Sequence, residues 1–298
     1  MTEPEKPPST NPYRTMASTA PSKRERPTNS LPSGSGLLDW LQPIFASSVG
    51  GKFLVALTGL ALSGFAVVHM LGNLQIFLGQ DAINEYAKKL KDMPTLLWTA
   101  RLGLLTVFVV HILVALRLKM RAAEARPIPY AHEETVQASY ASRSMAYSGL
   151  TILAFTLFHI AHVTLGAVQP APGTAVKKDE PTPALKKDAA DELKKKDAKP
   201  AEPVEVSLLD LKDDQGRHDV YRMMILGFTH PLIASLYLLA QVLLMMHLSH
   251  GVASAVQSLG LNAPRLQRTW FYFGWAITLL VGVGNIAIVA AVWAGFIT

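Results

Sequence analysis

The sequence predicts an all-α integral membrane protein built as a five-helix transmembrane bundle. Of its 298 residues 50% are hydrophobic and only 17% are charged, whereas soluble proteins carry about a quarter charged residues. The apolar residues gather into five blocks, each long enough to cross the roughly 30 Å of a bilayer core as a helix. Because lipid offers the backbone no hydrogen-bond partner, such blocks must be helical. They cover about residues 51–71, 96–118, 145–168, 223–248 and 270–297.

The composition also excludes several classes of protein. The chain contains no cysteine, so it has no disulfides, no thiolate zinc sites and no iron–sulfur clusters with the usual all-cysteine ligands. A net charge of +6 would suit a nucleic-acid-binding protein, but in a membrane protein such an excess marks the cytoplasmic loops. We therefore expect no nucleic-acid partner.

Two polar stretches flank or interrupt the bundle domain, which is predicted over residues 47–298. Residues 1–46 are rich in proline, serine, threonine and charge and lack the apolar core of a signal peptide, so they are predicted to be a disordered cytoplasmic tail. Residues 169–220 are biased toward lysine, alanine and proline. This outer loop is predicted to be a low-complexity, mobile spacer, with a docking arm for another protein as the alternative.

The loops indicate how the bundle is oriented. With a cytoplasmic N-terminus, the inside segments 1–52, 117–143 and 249–269 hold 13 lysines and arginines against seven acidic residues. The short outside loop 72–95 holds three of each sign. The positive-inside rule therefore predicts a cytoplasmic N-terminus and a C-terminus on the outer side.

Seven of the nine histidines lie within or at the ends of the spans. Ionisable side chains are costly in a membrane and usually functional, although a lone histidine can also be a hydrogen-bonded link between helices. The seven residues are His69, His111, His159, His162, His230, His247 and His250.

Depth in the membrane sorts four of these histidines into two pairs. His69 and His159 lie toward the outer ends of the first and third spans, and His111 and His247 lie toward the inner ends of the second and fourth. At 1.5 Å per residue the two levels are roughly 15–20 Å apart. Two such levels suit two stacked haems with two axial imidazoles each, and the absence of Cys-x-x-Cys-His predicts haem b. Spacing leaves open which histidine of each doublet, 159/162 or 247/250, binds iron.

Other metal sites fit the sequence less well. A zinc site built on either doublet would lack acidic or thiolate ligands. Di-iron bundles need Glu-x-x-His motifs, and no glutamate lies in the spans. A haem-free transporter or membrane scaffold, with structural or proton-relaying histidines, remains the alternative of another class.

Four sequence blocks carry a family likeness, and they occur in order along the chain. They read SSVGGKFLVALTGLALSGFAVVHMLGNLQIFLG at 47–79, LLWTARLGLLTVFVVHILVAL at 96–116, FHIAHVTLG at 158–166 and FTHPLIASLYLLAQVLLMMHLSHGVASAVQSLGLNAPRLQR at 228–268. The blocks resemble the cytochrome b subunit of succinate:quinone oxidoreductases, in the single-chain, five-helix, di-haem b558 type that also occurs in fumarate reductases. The likeness covers residues 47–298 apart from the outer loop.

The resemblance implies the axial ligands motif by motif. It places His69 in VVHMLGN and His159 in LFHIAH on the outer haem, and His111 in VVHILVAL and His247 in MMHLSHG on the inner haem. This is the pairing that depth suggests, and it completes the predicted fold as a bundle enclosing two stacked haems. The chain departs from the family at His230, where asparagine is common before the proline, and in the long outer loop.

The resemblance also implies a function, that of the membrane anchor of succinate dehydrogenase, respiratory complex II, in a bacterial cytoplasmic membrane. A flavoprotein subunit with FAD would oxidise succinate, and an iron–sulfur subunit would pass electrons to the inner haem. The outer haem would reduce a quinone, expected to be menaquinone, with Arg101, His162 and His230 as candidate quinone residues. Catalytic residues for succinate are expected on the partners, because this chain has no flavin or dinucleotide fingerprint.

Partners would dock on the basic inner loops by electrostatic complementarity. The residues concerned are Arg117, Lys119, Arg121, Arg126, Arg265 and Arg268. A di-haem cytochrome b subunit of another respiratory dehydrogenase is the nearest alternative. The direction of the reaction and the oligomeric state stay open.

Overall fold

The computed structural model describes residues 47–126, 138–168, 170–171, 206–261 and 263–297. The predicted tail, 1–46, and most of the predicted outer loop lie outside the described residues. The helices are α1 Ser48–Asn73, α2 Gln80–Lys91, α3 Pro94–Glu124, α4 Tyr140–Arg143, α5 Met145–His159, α6 Val220–Thr229, α7 Pro231–Ser258 and α8 Gln267–Trp293. Short 3₁₀ turns cover Leu74–Leu78 and Leu208–Asp210, and a π-helical turn covers Ile160–Thr164. Strands β1 Pro170–Ala171 and β2 Val206–Ser207 pair antiparallel.

Five helical segments in the described ranges are long and apolar enough to cross a membrane. They are Ser48–Leu78, Pro94–Glu124, Met145–Thr164, Pro231–Ser258 and Gln267–Trp293. Their outward faces are apolar; on α3, for example, Leu102, Leu105 and Leu113 are each more than half exposed. So much exposed apolar surface suits hydrocarbon rather than water. The coarse prediction is confirmed: apart from one pair of two-residue strands the regular structure of the described residues is helical, and five helices are long and apolar enough to span a membrane.

Helix α7 lies at the centre of the bundle and packs against α1, α5 and α8, while α1 also packs against α3 and α8. Neighbouring helices run antiparallel within the pairs α1–α3 and α5–α7. Gly51 lies beside Leu118 and Gly59 beside His111 in the first pair, and Gly149 lies beside His247 in the second. Small residues at these crossings let the helices approach closely.

The fourth predicted span, 223–248, differs from the structure because the helix breaks at His230. Proline lacks a backbone N–H and disfavours helical geometry in the residue before it. His230 accordingly has φ −77° and ψ 114°, outside the helical region. The indole Nε1 of Trp293 donates a 3.0 Å hydrogen bond to the Phe228 carbonyl oxygen next to the break. The span is therefore α6 followed by α7, and α7 continues ten residues beyond the predicted end.

One end of the bundle carries additional structure, which we call the cap: Leu74–Lys91, Val206–Thr229 and the C-terminal end of α8. Its apolar core includes Ile76, Ile83, Leu208 and Met224, packed against Ile288. Residues 206–219 belong to the predicted spacer by position, yet they pack into this core. The compositional bias toward lysine and alanine ends before them, and Leu208 and Leu211 supply apolar anchors.

A buried polar network ties α2 to α6 within the cap. Asn84, fully buried, donates its Nδ2 hydrogens to Asp213 Oδ2 at 3.1 Å and Asp219 Oδ1 at 3.0 Å. Its Oδ1 accepts from the Tyr221 N–H at 3.1 Å. Arg217 Nε donates to Asp213 Oδ2 at 2.6 Å. Asp213 is ion-paired with Arg217, and Asp219 accepts hydrogen bonds from Gln80, Asn84 and the Arg222 N–H. Both buried carboxylates are therefore satisfied, as carboxylates out of contact with water must be.

Candidate functional site

The histidine pair nearer the cap is formed by His69 on α1 and His159 at the end of α5. Their ring centroids are 5.8 Å apart and the ring planes are nearly perpendicular, at 89°. A metal–imidazole bond of about 2.0 Å on each side would place two such centroids about 6 Å apart. The observed separation therefore fits one iron atom held between the two rings.

Aromatic side chains hold both rings of this pair in the same way. His69 stacks on Phe65, one turn earlier in α1, at a centroid distance of 5.3 Å. His159 lies against Phe155, one turn earlier in α5, at 6.0 Å. The hydroxyl of Tyr237 on α7 lies 3.1 Å from His159 Nδ1.

The second pair is formed by His111 on α3 and His247 on α7. His247 lies close enough to interact electrostatically with both His111 and His250. Each ring of the pair has a hydroxyl group beside its Nδ1 atom. The Thr58 Oγ1 atom lies 3.0 Å from His111 Nδ1, and the Ser148 Oγ atom lies 3.3 Å from His247 Nδ1.

These two hydroxyls decide which ring nitrogen is free to bind a metal. Thr58 already donates its hydrogen to the Leu54 carbonyl at 2.7 Å, and Ser148 donates to the Met145 carbonyl at 3.1 Å. A hydroxyl has a single hydrogen, so while Thr58 and Ser148 keep these backbone bonds each oxygen accepts a hydrogen bond from Nδ1–H of the imidazole. A neutral imidazole with its hydrogen on Nδ1 presents the Nε2 lone pair, the arrangement that a metal ligand needs.

Glycines let these two rings lie against bare backbone. A Cβ atom placed on Gly59 would lie 3.2 Å from His111 Cε1, and one on Gly149 would lie 3.4 Å from His247 Cε1. Gly59 precedes His69 on α1 by ten residues, and Gly149 precedes His159 by ten. Both spacings separate the two histidine levels by about 15 Å along the helix axis.

The helices α1 and α5 therefore carry the same pattern, [Ser/Thr]-Gly-x5-Phe-x3-His. It begins at Thr58 in one helix and at Ser148 in the other, an offset of 90 residues. Sequence reasoning did not single out Thr58, Ser148 or Tyr237 and recognised no internal repeat. The repeated pattern was the available signal for the two hydroxyls.

The structure separates the members of the 159/162 doublet. His159 faces His69, whereas His162 is 1% exposed and stacks on Phe158. A Cβ atom on Gly227 of α6 would lie 3.1 Å from His162 Cε1. His162 Nδ1 lies 2.9 Å from the same Tyr237 hydroxyl that His159 contacts. His159, rather than His162, therefore shares a level with His69.

The three candidate quinone residues occupy different surroundings. Arg101 is exposed near the start of α3, with its guanidinium 5.2 Å from the centroid of the Trp98 ring. His230 is exposed at the break between α6 and α7. His162 is buried on the π-helical turn. Their role in quinone binding stays a prediction.

Within the described ranges, no group of three or more His, Cys, Asp or Glu side chains could hold a metal ion. What the described residues offer to iron is therefore the two imidazole pairs. Comparison with family models, with curated proteins and with solved structures finds no significant match for this chain.

Proposed function

We propose that the chain is the membrane-anchor, di-haem cytochrome b subunit of a succinate:quinone oxidoreductase. One observation carries the haem part of the proposal: two imidazole pairs lie about 15 Å apart along the helices. The hydroxyl partners of His111 and His247, which leave Nε2 free, support it. The sequence likeness supplies the choice of enzyme.

The residues of this chain would hold the two haem b groups by their axial positions. His69 and His159 would bind the iron nearer the cap, and His111 and His247 would bind the other. When bound, the haems supply one-electron transfer across the membrane. The hydroxyls beside Nδ1 orient the rings, and the surrounding apolar helices keep water from the iron.

The end opposite the cap suits the docking of a partner. In the described residues this basic end holds eight basic side chains and a single acid, Glu124. We propose that the iron–sulfur subunit docks there and that the flavoprotein with FAD binds through it. The basic residues are Lys52, Arg117, Lys119, Arg121, Arg126, Arg143, Arg265 and Arg268.

Quinone reduction is proposed at the cap level, in a bacterial cytoplasmic membrane with the N-terminus inside. A quinone, expected to be menaquinone, needs an apolar slot and polar groups for its two carbonyl oxygens. Arg101 and His230, which are exposed near the cap, are the candidates for such contacts. His162, the third candidate, is buried and would act on the quinone from within the protein.

A pyridine haemochrome assay on the purified chain tests the haem proposal. We expect two haem b per chain, and we expect His69→Ala, His111→Ala, His159→Ala and His247→Ala each to lose or disturb one. His250→Ala is the matched control, since it lies one turn from His247 and should keep both haems. Folded protein without haem would refute the proposal.

The subunits that co-purify with the chain test the choice of enzyme. We expect a flavoprotein with FAD and an iron–sulfur protein, together with succinate:quinone reductase activity in the same membranes. A molybdenum or nickel enzyme in their place would assign the chain to a different respiratory dehydrogenase.

A further inference from the structure

The Tyr237 hydroxyl contacts two imidazoles at once, and no other residue near the histidine pairs does so in the described part of the chain. Its hydroxyl lies 3.1 Å from His159 Nδ1 and 2.9 Å from His162 Nδ1. Tyr237 is 6% exposed, and the rings of Phe155, Phe158 and Phe228 surround it. The phenol group therefore has almost no access to bulk water, and in the described part of the chain its hydroxyl contacts the two imidazoles.

The hydrogen-bonding capacity of a phenol sets the direction of these two bonds. The Tyr237 hydroxyl has one hydrogen and can also accept. If His159 binds iron through Nε2, its hydrogen is on Nδ1, and it donates to the Tyr237 oxygen. Tyr237 then donates its own hydrogen to His162 Nδ1. The result is a directed chain, His159 to Tyr237 to His162.

The hydroxyl partners of His111 and His247 differ from this arrangement. Thr58 and Ser148 donate their hydrogens to carbonyls of their own helices, so each hydrogen-bond chain ends in the backbone of one helix. Tyr237 instead passes its hydrogen to a second imidazole on another helix. Successive hydrogen bonds polarise one another, so the Tyr237 oxygen is a better acceptor for His159 than an isolated phenol would be.

We propose that Tyr237, supported by His162, is the positioning residue of the haem nearer the cap. It fixes the ring plane and the tautomer of His159 and increases the basicity of that ligand. A more basic ligand favours ferric iron, so the contact lowers the reduction potential of this haem and leaves the other haem unaffected. The inference rests on the proposed di-haem function.

The test is Tyr237→Phe, which removes the hydroxyl and keeps the ring. Haem content is measured by pyridine haemochrome, and the two midpoint potentials by redox titration of the purified chain. We expect both haems to remain, one midpoint potential to shift in the positive direction and the other to stay unchanged. Tyr147→Phe, which alters an exposed tyrosine on α5, is the matched control and should change neither.

Electron paramagnetic resonance of the oxidised protein gives an independent readout. The signal of a low-spin ferric haem depends on the angle between its two axial imidazole planes, which is 89° for His69 and His159. In Tyr237→Phe we expect one of the two haem signals to move. His162→Asn, which leaves Tyr237 in place, should shift the same midpoint potential in the same direction by a smaller amount.

Several outcomes separate this inference from the proposed function. If the unaltered chain binds two haems but both potentials and both signals are unchanged in Tyr237→Phe, the inference is wrong. A parallel shift of both haems would also overturn it. If Tyr237→Phe loses one haem outright, the test becomes the midpoint potential of His162→Asn, in which the potential of one haem should shift in the positive direction. Absence of haem from the unaltered chain would instead refute the proposed function.

Discussion

A hydroxyl beside an imidazole is a small feature, but at the residue scale it decides which ring nitrogen can bind a metal. Thr58 and Ser148 do this for His111 and His247 from neighbouring helices. Neither residue is conspicuous in the sequence, because serine and threonine in transmembrane helices commonly bond back to their own backbone. The histidines could be singled out as candidate functional residues from the sequence, because placing them in a membrane is costly. Their hydroxyl partners could not, because the contact depends on how each helix is rotated.

Thr58→Val tests the role of this hydroxyl in holding the ligand. Valine keeps the shape of the side chain and removes the hydroxyl acceptor for His111 Nδ1–H, so the orientation of the ring is held less firmly, by the Val55 carbonyl. Loss of such a partner costs about 10–100-fold in affinity at metal sites. We expect a comparable loss in haem affinity, measured by transfer of haem to an acceptor protein.

Thr106→Val provides the control for this experiment. Thr106 lies on α3 and makes the same kind of bond to its own helix, at 2.9 Å to the Leu102 carbonyl, but it faces outward. Its replacement should leave haem affinity unchanged. Equal haem loss in both variants would show that the effect of Thr58→Val comes from helix packing in general.

Gly59→Ala tests whether His111 needs the bare backbone of α1. The added methyl group would lie 3.2 Å from His111 Cε1, so the ring has to move by a few tenths of an ångström. We expect altered optical or resonance spectra of one haem and faster haem loss. Gly103→Ala on α3 meets no atom within 4 Å and should leave both haems as they are, with a small gain in helix stability.

At the element scale, hydropathy predicted how many spans there are but not where each helix begins and ends. A hydropathy window measures apolar length and does not register whether backbone hydrogen bonds continue through it. Pro231 was visible in the fourth span, but its effect depends on whether neighbouring helices satisfy the freed carbonyls. The short helix α2 was hidden in a polar loop, and its pairs Glu85–Lys89 and Lys88–Asp92 at i, i+4 spacing support it locally.

Trp293→Phe tests the stabilisation of the break between α6 and α7. Phenylalanine retains an aromatic ring and removes the Nε1 donor that satisfies the Phe228 carbonyl oxygen. We expect the free energy of unfolding to fall by about 0.5–1.5 kcal/mol, measured by thermal or denaturant unfolding in detergent. Trp275→Phe, on the same helix with its ring packed on Phe271, should cost less; an equal or larger loss there would contradict the assignment.

At the scale of the whole molecule, the cap joins the loop after α1 to the segment before α6 through groups that respond to pH. Burial by itself would raise the pKa of Asp213, but hydrogen bonds from Arg217 and Asn84 outweigh it and hold that pKa below its ordinary value. Burial, and then the nearby charge of Lys91, lowers the pKa of His218. Both groups make the folded cap bind fewer protons than the unfolded chain.

The stability of the cap should therefore decrease as the pH falls, in two steps. An unfolded histidine takes up a proton near pH 6.5, while folded His218 resists protonation, so stability declines as the pH drops through that value. The contribution of Asp213 is present above the ordinary carboxyl pKa of about 3.9 and is lost below it. Hydrogen exchange of α2 amides between pH 7 and pH 5 measures the first step.

His218→Asn isolates that first step. Asparagine has no group that titrates near pH 6.5, so the decline in α2 protection between pH 7 and pH 5 should become smaller while the step at lower pH persists. An unchanged decline in this variant would assign the dependence to another group. Lys91, Lys212 and Asp219 are the charged groups that act on His218 electrostatically.

The distribution of charge along the bundle predicts its orientation in the membrane. Among the described residues, the basic end holds eight basic side chains and one acid, whereas the cap holds six of each sign. Lysine and arginine near span ends stay on the cytoplasmic side, so the cap should face outward. The acidic residues of the cap do not change this expected orientation, because acidic residues contribute little to membrane topology.

Single cysteines can test this orientation directly, since the chain contains none of its own. Lys89→Cys lies on the exposed face of α2 in the cap, and Lys119→Cys lies exposed at the basic end. In right-side-out membrane vesicles, a membrane-impermeant maleimide should label the first and should reach the second only after the vesicles are opened. The reverse pattern would place the basic end outside, and the iron–sulfur subunit could then not dock there from the cytoplasm.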